Sequence, residues 1–266
     1  MKRRCSGGEK PMSSWAVLGS GSSGNSYLFT DGTVSVLIDQ GFSVAELKRR
    51  LARFGTEVGS VEAVFVTHLH PDHARGVGTL ARMHGVKAYI HSKAIKNQPA
   101  LIAKIGVPEG LLEGVEPFEV IEVGPFSLYC FETSHDCDGS VGWIVSWEGE
   151  QCMVLTDTGT TTAVHQRLAF ESTLLFLEAN YDETMLANGP YPPFLQERIR
   201  GERGHLSNGE ALDFLTQSGF QGHHVYFIHI SDTNNRVELL SEAAKAVSPV
   251  PYTVCAKGQW YGMVGE

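Results

Sequence analysis

The segment Thr67-His68-Leu69-His70-Pro71-Asp72-His73 follows an apolar run, Ala63-Val64-Phe65-Val66, and places four metal-capable side chains within six positions. The run reads as a strand bounded by turn residues. An extended or turning backbone can send His68 and His70 to one metal ion while Asp72 and His73, in the turn that follows, reach a second. The bland alternative is a polar loop whose histidines bond only neighbours or water. For a lone histidine that account is the better one; for a cluster of this density after a strand, a metal site is.

Strands and helices alternate along the rest of the chain. Short β-rich runs at 15–18, 26–30, 34–39 and 63–67 are each bounded by turn residues. Val44, Leu47, Leu51 and Phe54 recur at helical spacing with Lys48, Arg49 and Arg50 on other faces, which predicts an amphipathic helix. A second helix is expected over 73–84 and a strand over 88–90, and the stretch after it is ambiguous. Apolar or alternating runs at 126–132, 141–147, 152–156, 174–177 and 225–230 predict a second sheet. Further helices are expected over 160–170, 195–199 and from Asn208, where Ser207-Asn208-Gly209-Glu210 offers cap residues. The two halves are alike in layout without a sequence repeat, and predict two stacked β-sheets flanked by helices, an αββα sandwich. Residues 14–266 read as one domain and 1–13 as a flexible N-terminal extension.

A chain of 266 residues, 42% of them apolar, can bury a sizeable core. Its formal net charge of −9 argues against wholesale coating of nucleic acid. It leaves room for a local site, because bound divalent cations would be the strongest positive charges in a cleft. Five cysteines without a C-x-x-C pair point to reduced thiols and a cytoplasmic location. No apolar stretch of signal-peptide type follows Lys2, Arg3 and Arg4, and nowhere do 18 uncharged apolar residues run together. A membrane partner is not expected.

His68-Leu69-His70-Pro71-Asp72-His73 matches the H-x-H-x-D-H signature of the metallo-β-lactamase superfamily at all four positions, and the chain resembles that superfamily. The resemblance implies two divalent metal ions (Zn, Mn or Fe) held by His68, His70, Asp72, His73, His135, Asp157 and His229. In that arrangement His135 completes the first site with His68 and His70, His229 completes the second with Asp72 and His73, and Asp157 bridges. Gly19-Ser20-Gly21-Ser22-Ser23-Gly24-Asn25-Ser26, Leu37-Ile38-Asp39-Gln40-Gly41, Leu177-Glu178-Ala179-Asn180 and Gly204-His205-Leu206-Ser207-Asn208 are similar to the YycJ/WalJ group of bacterial exonucleases. This closer resemblance runs from about Trp15 to the C-terminal region. It implies a 5′-to-3′ DNA exonuclease linked to DNA repair, with nucleic acid bound locally at the metal cleft and a hydroxide shared by the two ions attacking in line. Tyr181 departs from the group, which has His there, and a metal role at that position is not expected.

Outside the metal set, His205 lies just before the expected cap of the helix starting near Asn208. Helix N-termini attract phosphate. His205 is therefore expected to be catalytic, bonding the scissile phosphate or protonating the leaving oxygen, with Ser207 and Asn208 as substrate-binding donors. An ordinary capping loop is the competing account. Asp72 is assigned a catalytic as well as a metal-binding role. Asp39 either orients a ligating histidine or forms a turn. The serine-rich loop at 19–26 lacks the Lys-Ser/Thr pair of a P-loop and reads as a tight hairpin beside the cleft. Arg198, Arg200 and Arg203, interrupted by Glu202, read as a solvated helix face or as contacts to a nucleic-acid backbone.

The same metal pair could serve an RNA-processing nuclease of the RNase Z type, or a hydrolase of thioesters, lactones or cyclic phosphodiesters, because this fold hosts many substrates. A di-iron reductase of oxygen or nitric oxide fits less well, since relatives of that type carry Glu at the position of His70.

Overall fold

A computed structural model describes residues 14–262; the expected extension over 1–13 lies outside them. The strands are β1 (Ser14–Gly19), β2 (Ser26–Thr30), β3 (Ser35–Ile38), β4 (Val61–Phe65), β5 (Lys87–His91), β6 (Leu112–Val115), β7 (Ile121–Val123), β8 (Phe126–Glu132), β9 (Val141–Trp147), β10 (Glu150–Leu155), β11 (Leu174–Glu178), β12 (His224–Ile228), β13 (Tyr252–Val254) and β14 (Tyr261–Gly262). They form two seven-stranded sheets, ordered β14-β1-β2-β3-β4-β5-β6 and β13-β12-β11-β10-β9-β8-β7. In the first sheet pairing is antiparallel from β14 to β3 and parallel from β3 to β6. The second repeats the scheme, antiparallel from β7 to β10 and parallel from β10 to β13.

The alternation of side chains along a strand explains the layers. Tyr27 and Phe29 of β2, Val36 and Ile38 of β3, and Ala63 and Phe65 of β4 point into a core shared with Cys152 and Val154 of β10, Leu174 and Phe176 of β11, and Tyr226 and Ile228 of β12. Their neighbours Leu28, Leu37 and Val64 face the other way, onto the Val44–Leu51 and Val77–His84 helices. Met153, Leu155, Leu175, Leu177, Val225 and Phe227 do the same on the second sheet, under the Ala163–Glu171, Asn208–Ser218 and Val237–Val247 helices. Strands buried on both faces read as nearly continuous apolar runs, and the four-layer αββα order is the one expected.

The strand that carries the ligand cluster is held firmly. Phe65 stacks on Tyr89 at 4.7 Å between ring centroids and meets Trp143 edge-on at 4.9 Å, and Trp143 Nε1 donates to Val66 O at 3.3 Å. Aromatic pairs of this kind contribute about 0.5–1.5 kcal/mol each beyond the area they bury.

The expected helix over 73–84 is two helices, Pro71–Ala74 and Val77–His84, separated by Gly76. A Cβ at Gly76 would lie 2.1 Å from Phe42 O, so the backbone breaks where it must approach the chain after β3. The ambiguous stretch folds into the Ser92–Asn97 and Pro99–Ile105 helices and edge strand β6. Strands β7, β13 and β14 and the Val237–Val247 helix were not expected. The four described cysteines are free and buried, and among the described residues no helix is long and apolar enough to cross a membrane.

Candidate metal centre

The side chains of the site gather at one edge of the sandwich, most of them at or just after the C-terminal end of a strand. Asp39 follows β3, His68 and His70 follow β4, and Asp72 and His73 lie in the short Pro71–Ala74 helix. From the second sheet, His135 follows β8, Asp157 follows β10, Glu178 ends β11 and His229 follows β12. Because β10, β11 and β12 are parallel neighbours, Asp157, Glu178 and His229 come to lie side by side.

Potential ligand atoms of His68, His70 and His135 lie within 4.8 Å of one another, as do those of Asp72, His73 and His229. His68 Nε2 and His135 Nε2 approach His70 Nδ1 at 3.0 and 3.3 Å. In the second group Asp72 Oδ2 is 3.6 Å from both His73 Nε2 and His229 Nε2. Asp157 lies between the groups, with Oδ2 3.2 Å from His73 Nε2 and Oδ1 3.7 Å from His135 Nε2. The structure thus brings all seven expected ligands together.

The far ring nitrogens are anchored by oxygens. His73 Nδ1 bonds Asp39 Oδ2 at 2.6 Å, His135 Nδ1 bonds Gly204 O at 3.0 Å, and His68 Nδ1 contacts Thr67 Oγ1 at 3.1 Å. His229 Nδ1 bonds Glu178 Oε1 at 3.1 Å. Each of these four rings therefore turns Nε2 inward, a pattern that fixes tautomer and orientation at metal-binding histidines. His70 is reversed: its Nδ1 faces inward while Nε2 lies 3.5 Å from Asp136. Asp39, half-legible in the sequence, is fully buried and accepts from Thr67 N at 2.7 Å and Thr67 Oγ1 at 2.8 Å as well as from His73.

The electrostatics show what such a site demands. Burial alone would raise the pKa of Asp157, yet His229, His73, His68 and His135 hold it well below the usual carboxylate range. Burial, reinforced by His73, pushes His68 well below its ordinary value. For His73 burial opposes the charge, but Asp157 and Asp39 raise its pKa to about 9. His229 is raised well above its ordinary value against burial, chiefly by Asp157, and His205 is raised against burial by Glu178. The raised values of His73, His229 and His205 set positive charge against the buried carboxylates, a role that bound cations would take over. His229 Nε2 is buried without a hydrogen-bond partner, as a waiting ligand atom would be. The donors are imidazole and carboxylate with no thiolate, a set that suits zinc, manganese or iron. The residues fit divalent cations.

His205 stands on the pocket wall. Its Nδ1 is held by Glu178 Oε1 at 2.6 Å and lies 3.5 Å from Asp157 Oδ1. The pocket is also lined by His70, Asp72, His135, Asp157 and His229, and is walled by Tyr191, Leu195 and Ile199. Ser22 lines it as well, and Ser20 Oγ accepts from His229 N at 2.6 Å, so the opening hairpin does flank the cleft.

Ser207 and Asn208 require a correction, because the structure does not place either side chain on this pocket. Ser207 is fully buried as the N-cap of the Asn208–Ser218 helix, accepting from Glu210 N and donating to Glu183 Oε1 at 3.0 Å. Asn208 is buried and its amide bonds Asn235. Both are capping and packing residues. The sequence reading missed Asn25, whose Nδ2 is 3.0 Å from His73 Nε2, and the anchoring role of Glu178. Glu178 closes an apolar run between two others that end in Asp157 and His229, a signal that was available.

Comparison with known proteins agrees with this geometry. Residues 35–230 match the family described as Beta-lactamase superfamily domain. The chain is 29% identical over 229 residues to Exodeoxyribonuclease WalJ of Streptococcus pneumoniae, covering 85% of this chain and 84% of that one. It is 28% identical over 229 residues to Exodeoxyribonuclease YycJ of Bacillus anthracis, covering 85% of each. The crystal structure of the metallo-beta-lactamase fold protein YhfI from Bacillus subtilis superposes with a TM-score of 0.72 at 18% identity, over 94% of this chain and 99% of the other.

Proposed function

The chain belongs to the β-lactamase superfamily, and from that premise we propose that it is a metal-dependent nuclease, an exonuclease acting on DNA from the 5′ end. The observation that carries the reading is the pair of ligand clusters on either side of Asp157, with His205 beside them and locked by Glu178. His68, His70 and His135 would hold one ion; Asp72, His73 and His229 would hold the second; Asp157 would touch both. When bound, such ions supply Lewis acidity toward phosphoryl oxygens and stabilise the charge that develops on them.

The protein's own contribution is orientation and proton transfer. With Nδ1 bonded to Glu178, His205 carries its other proton on Nε2, from which it donates to a non-bridging oxygen or to the departing oxygen of a phosphodiester. Asp72, with about a quarter of its side chain exposed on the pocket, would orient the attacking water and accept its proton. Asp39, Glu178, Thr67 and Gly204 keep the rings from turning. The names of the two exodeoxyribonuclease relatives, with most of each chain covered, support DNA as the substrate.

Digestion of 5′-labelled and 3′-labelled DNA and RNA strands with zinc, manganese and iron(II) tests the reading. The expected result is release of nucleotides from the 5′ end of DNA, abolished by a chelator and restored by metal. Full activity in chelator would overturn the metal assignment, and faster cleavage of RNA would overturn the choice of DNA.

A further inference from the structure

The Pro193–Arg200 helix buries none of its side chains, and Phe194, 71% exposed, is the most exposed large apolar residue among those described. Burial of an apolar face is what normally holds a short helix in place. Here the main chain does it. His205 N donates to Ile199 O at 2.9 Å, and Gly204 N donates to Gly201 O at 2.7 Å. A Cβ at Gly159 would lie 2.3 Å from Gly201 O, so the turn after Asp157 rests directly on the end of this helix. The helix is thereby fixed relative to Asp157 and His205 while none of its side chains is fully buried and Phe194 stands out to solvent.

Leu195, Arg198 and Ile199 line the metal pocket, and Phe194 lies one turn before Arg198 on the same face. Arg198 bonds Asp136 through Nε, and a guanidinium has five N–H donors to offer. In a chain of net charge −9, residues 198–203 carry three arginines against one glutamate. An exposed aromatic ring beside an arginine, leading into a pocket lined with metal-type ligands, fits a strand that offers stacking faces and phosphates together.

We propose that this helix is the docking platform for single-stranded nucleic acid: Phe194 stacks on an unpaired base of the entering strand, and Arg198 takes the adjacent phosphate. The inference rests on the nuclease reading and deepens it, since a base inside a duplex has no free face for Phe194.

The test is fluorescence anisotropy of the full chain as purified, with a labelled phosphorothioate oligothymidylate that resists cleavage and a strand of abasic spacers of equal length and charge. Stacking of one base on an aromatic ring corresponds to a roughly 5- to 100-fold change in affinity on alanine substitution. Phe194→Ala should weaken oligothymidylate by that factor and leave the abasic strand unaffected, and Phe194→Trp should restore binding. On hydrolysable strands the Phe194→Ala change should appear in KM rather than kcat. Arg198→Gln should lower the salt dependence of both probes by about 0.7 in the log–log slope, one phosphate contact. Equal affinities of wild type and Phe194→Ala for oligothymidylate would overturn the proposal, as would tighter wild-type binding of the corresponding duplex. If no phosphodiester is cleaved with any cation, the nuclease reading fails; if strands are cleaved and Phe194→Ala binds normally, only the platform fails.

Discussion

Replacing Glu178 by Gln keeps the shape of a fully buried side chain and removes its charge. The carboxylate accepts from His205 Nδ1 at 2.6 Å, His229 Nδ1 at 3.1 Å, Thr158 N at 3.1 Å and Leu206 N at 3.4 Å. A carboxamide has one oxygen and an NH2 group, so at least one of these donors would face another donor. Hydrogen bonds to a charged group are worth about 1.5–3 kcal/mol each, and a buried donor left unpaired costs about 1–3 kcal/mol. The variant also escapes the desolvation of a buried carboxylate, which offsets part of that loss. The balance is a destabilisation of roughly 2–4 kcal/mol, a fall of several degrees in Tm. The effect on turnover is larger. With the amide oxygen kept on Thr158 N and Leu206 N, the NH2 group faces His205 Nδ1 and no longer accepts from it, and the rate on a phosphodiester should drop roughly 10²- to 10⁴-fold, the range for a lost acid–base catalyst. Elemental analysis, thermal unfolding and kcat on the same preparation separate the outcomes: both metals retained, Tm lowered, kcat lowered. Wild-type turnover would refute the orienting role. Loss of one metal together with turnover would make Glu178 a ligand, in the group it forms with Asp157, His205 and His229.

His205→Ala should keep both ions and lose roughly 10²- to 10⁴-fold in rate, with a smaller deficit on a diester whose leaving group needs no proton; metal analysis and paired substrates check this. Ser207→Ala should cost about 1 kcal/mol of stability through the lost cap and leave KM for DNA unchanged, as thermal unfolding and steady-state kinetics will show. The Glu46 carboxylate is held at about 2 by its bonds to Arg49 and Arg50, burial opposing. A folded pKa below the ordinary 4.5 means that this contribution is present above pH 4.5 and is lost as the pH falls to about 2. Glu46→Gln should remove that part of the acid dependence of unfolding, by no more than about 1 kcal/mol for a solvent-screened pair.

The parts of the fold legible in the sequence are those buried on two sides. β4, β10, β11 and β12 announce themselves as apolar runs because each packs against the other sheet and against helices. The parts that escaped are short or lie at edges. Ser92–Asn97 and Pro99–Ile105, with six and seven residues, are too brief to show a helical period, and β13 and β14 span three and two. The Val237–Val247 helix buries only Leu240 and Ala244, so its apolar stripe is thin. In the site, the ligand cluster at 68–73 was legible because it is contiguous. Glu178 was not read as a site residue because its partners, His205 and His229, are 27 and 51 positions away and meet it only through the order of the sheet. Ser207 and Asn208 were misassigned because a cap motif next to a catalytic-type histidine looks the same in sequence whether its side chains serve the helix or a ligand.

The backbone at the strand ends connects the fold to the chemistry. Asp39, Asp157 and His229 have φ of 61°, 53° and 55°; Asp39 and His229 directly follow β3 and β12, and Asp157 lies two residues after the end of β10. Left-handed backbone costs a residue with a Cβ about 1–2 kcal/mol, a cost that glycine avoids. Glycine there would supply no donor atom. Asp and His are among the side chains that tolerate this region best while carrying one. A strand that ran on without the turn would send successive side chains to opposite faces, away from a common point. The turned residues are held by their surroundings: Asp39 by Thr67 and His73, Asp157 by Thr156 Oγ1 at 2.7 Å, and His229 by its N–H on Ser20 Oγ at 2.6 Å. Strain of this kind persists only where neighbouring contacts over-determine it. Three strand ends from two sheets therefore converge because a costly backbone state is imposed at the positions where a ligand or its anchor is needed, and the close-packed core behind β3, β10 and β12 supplies the stability that sustains it.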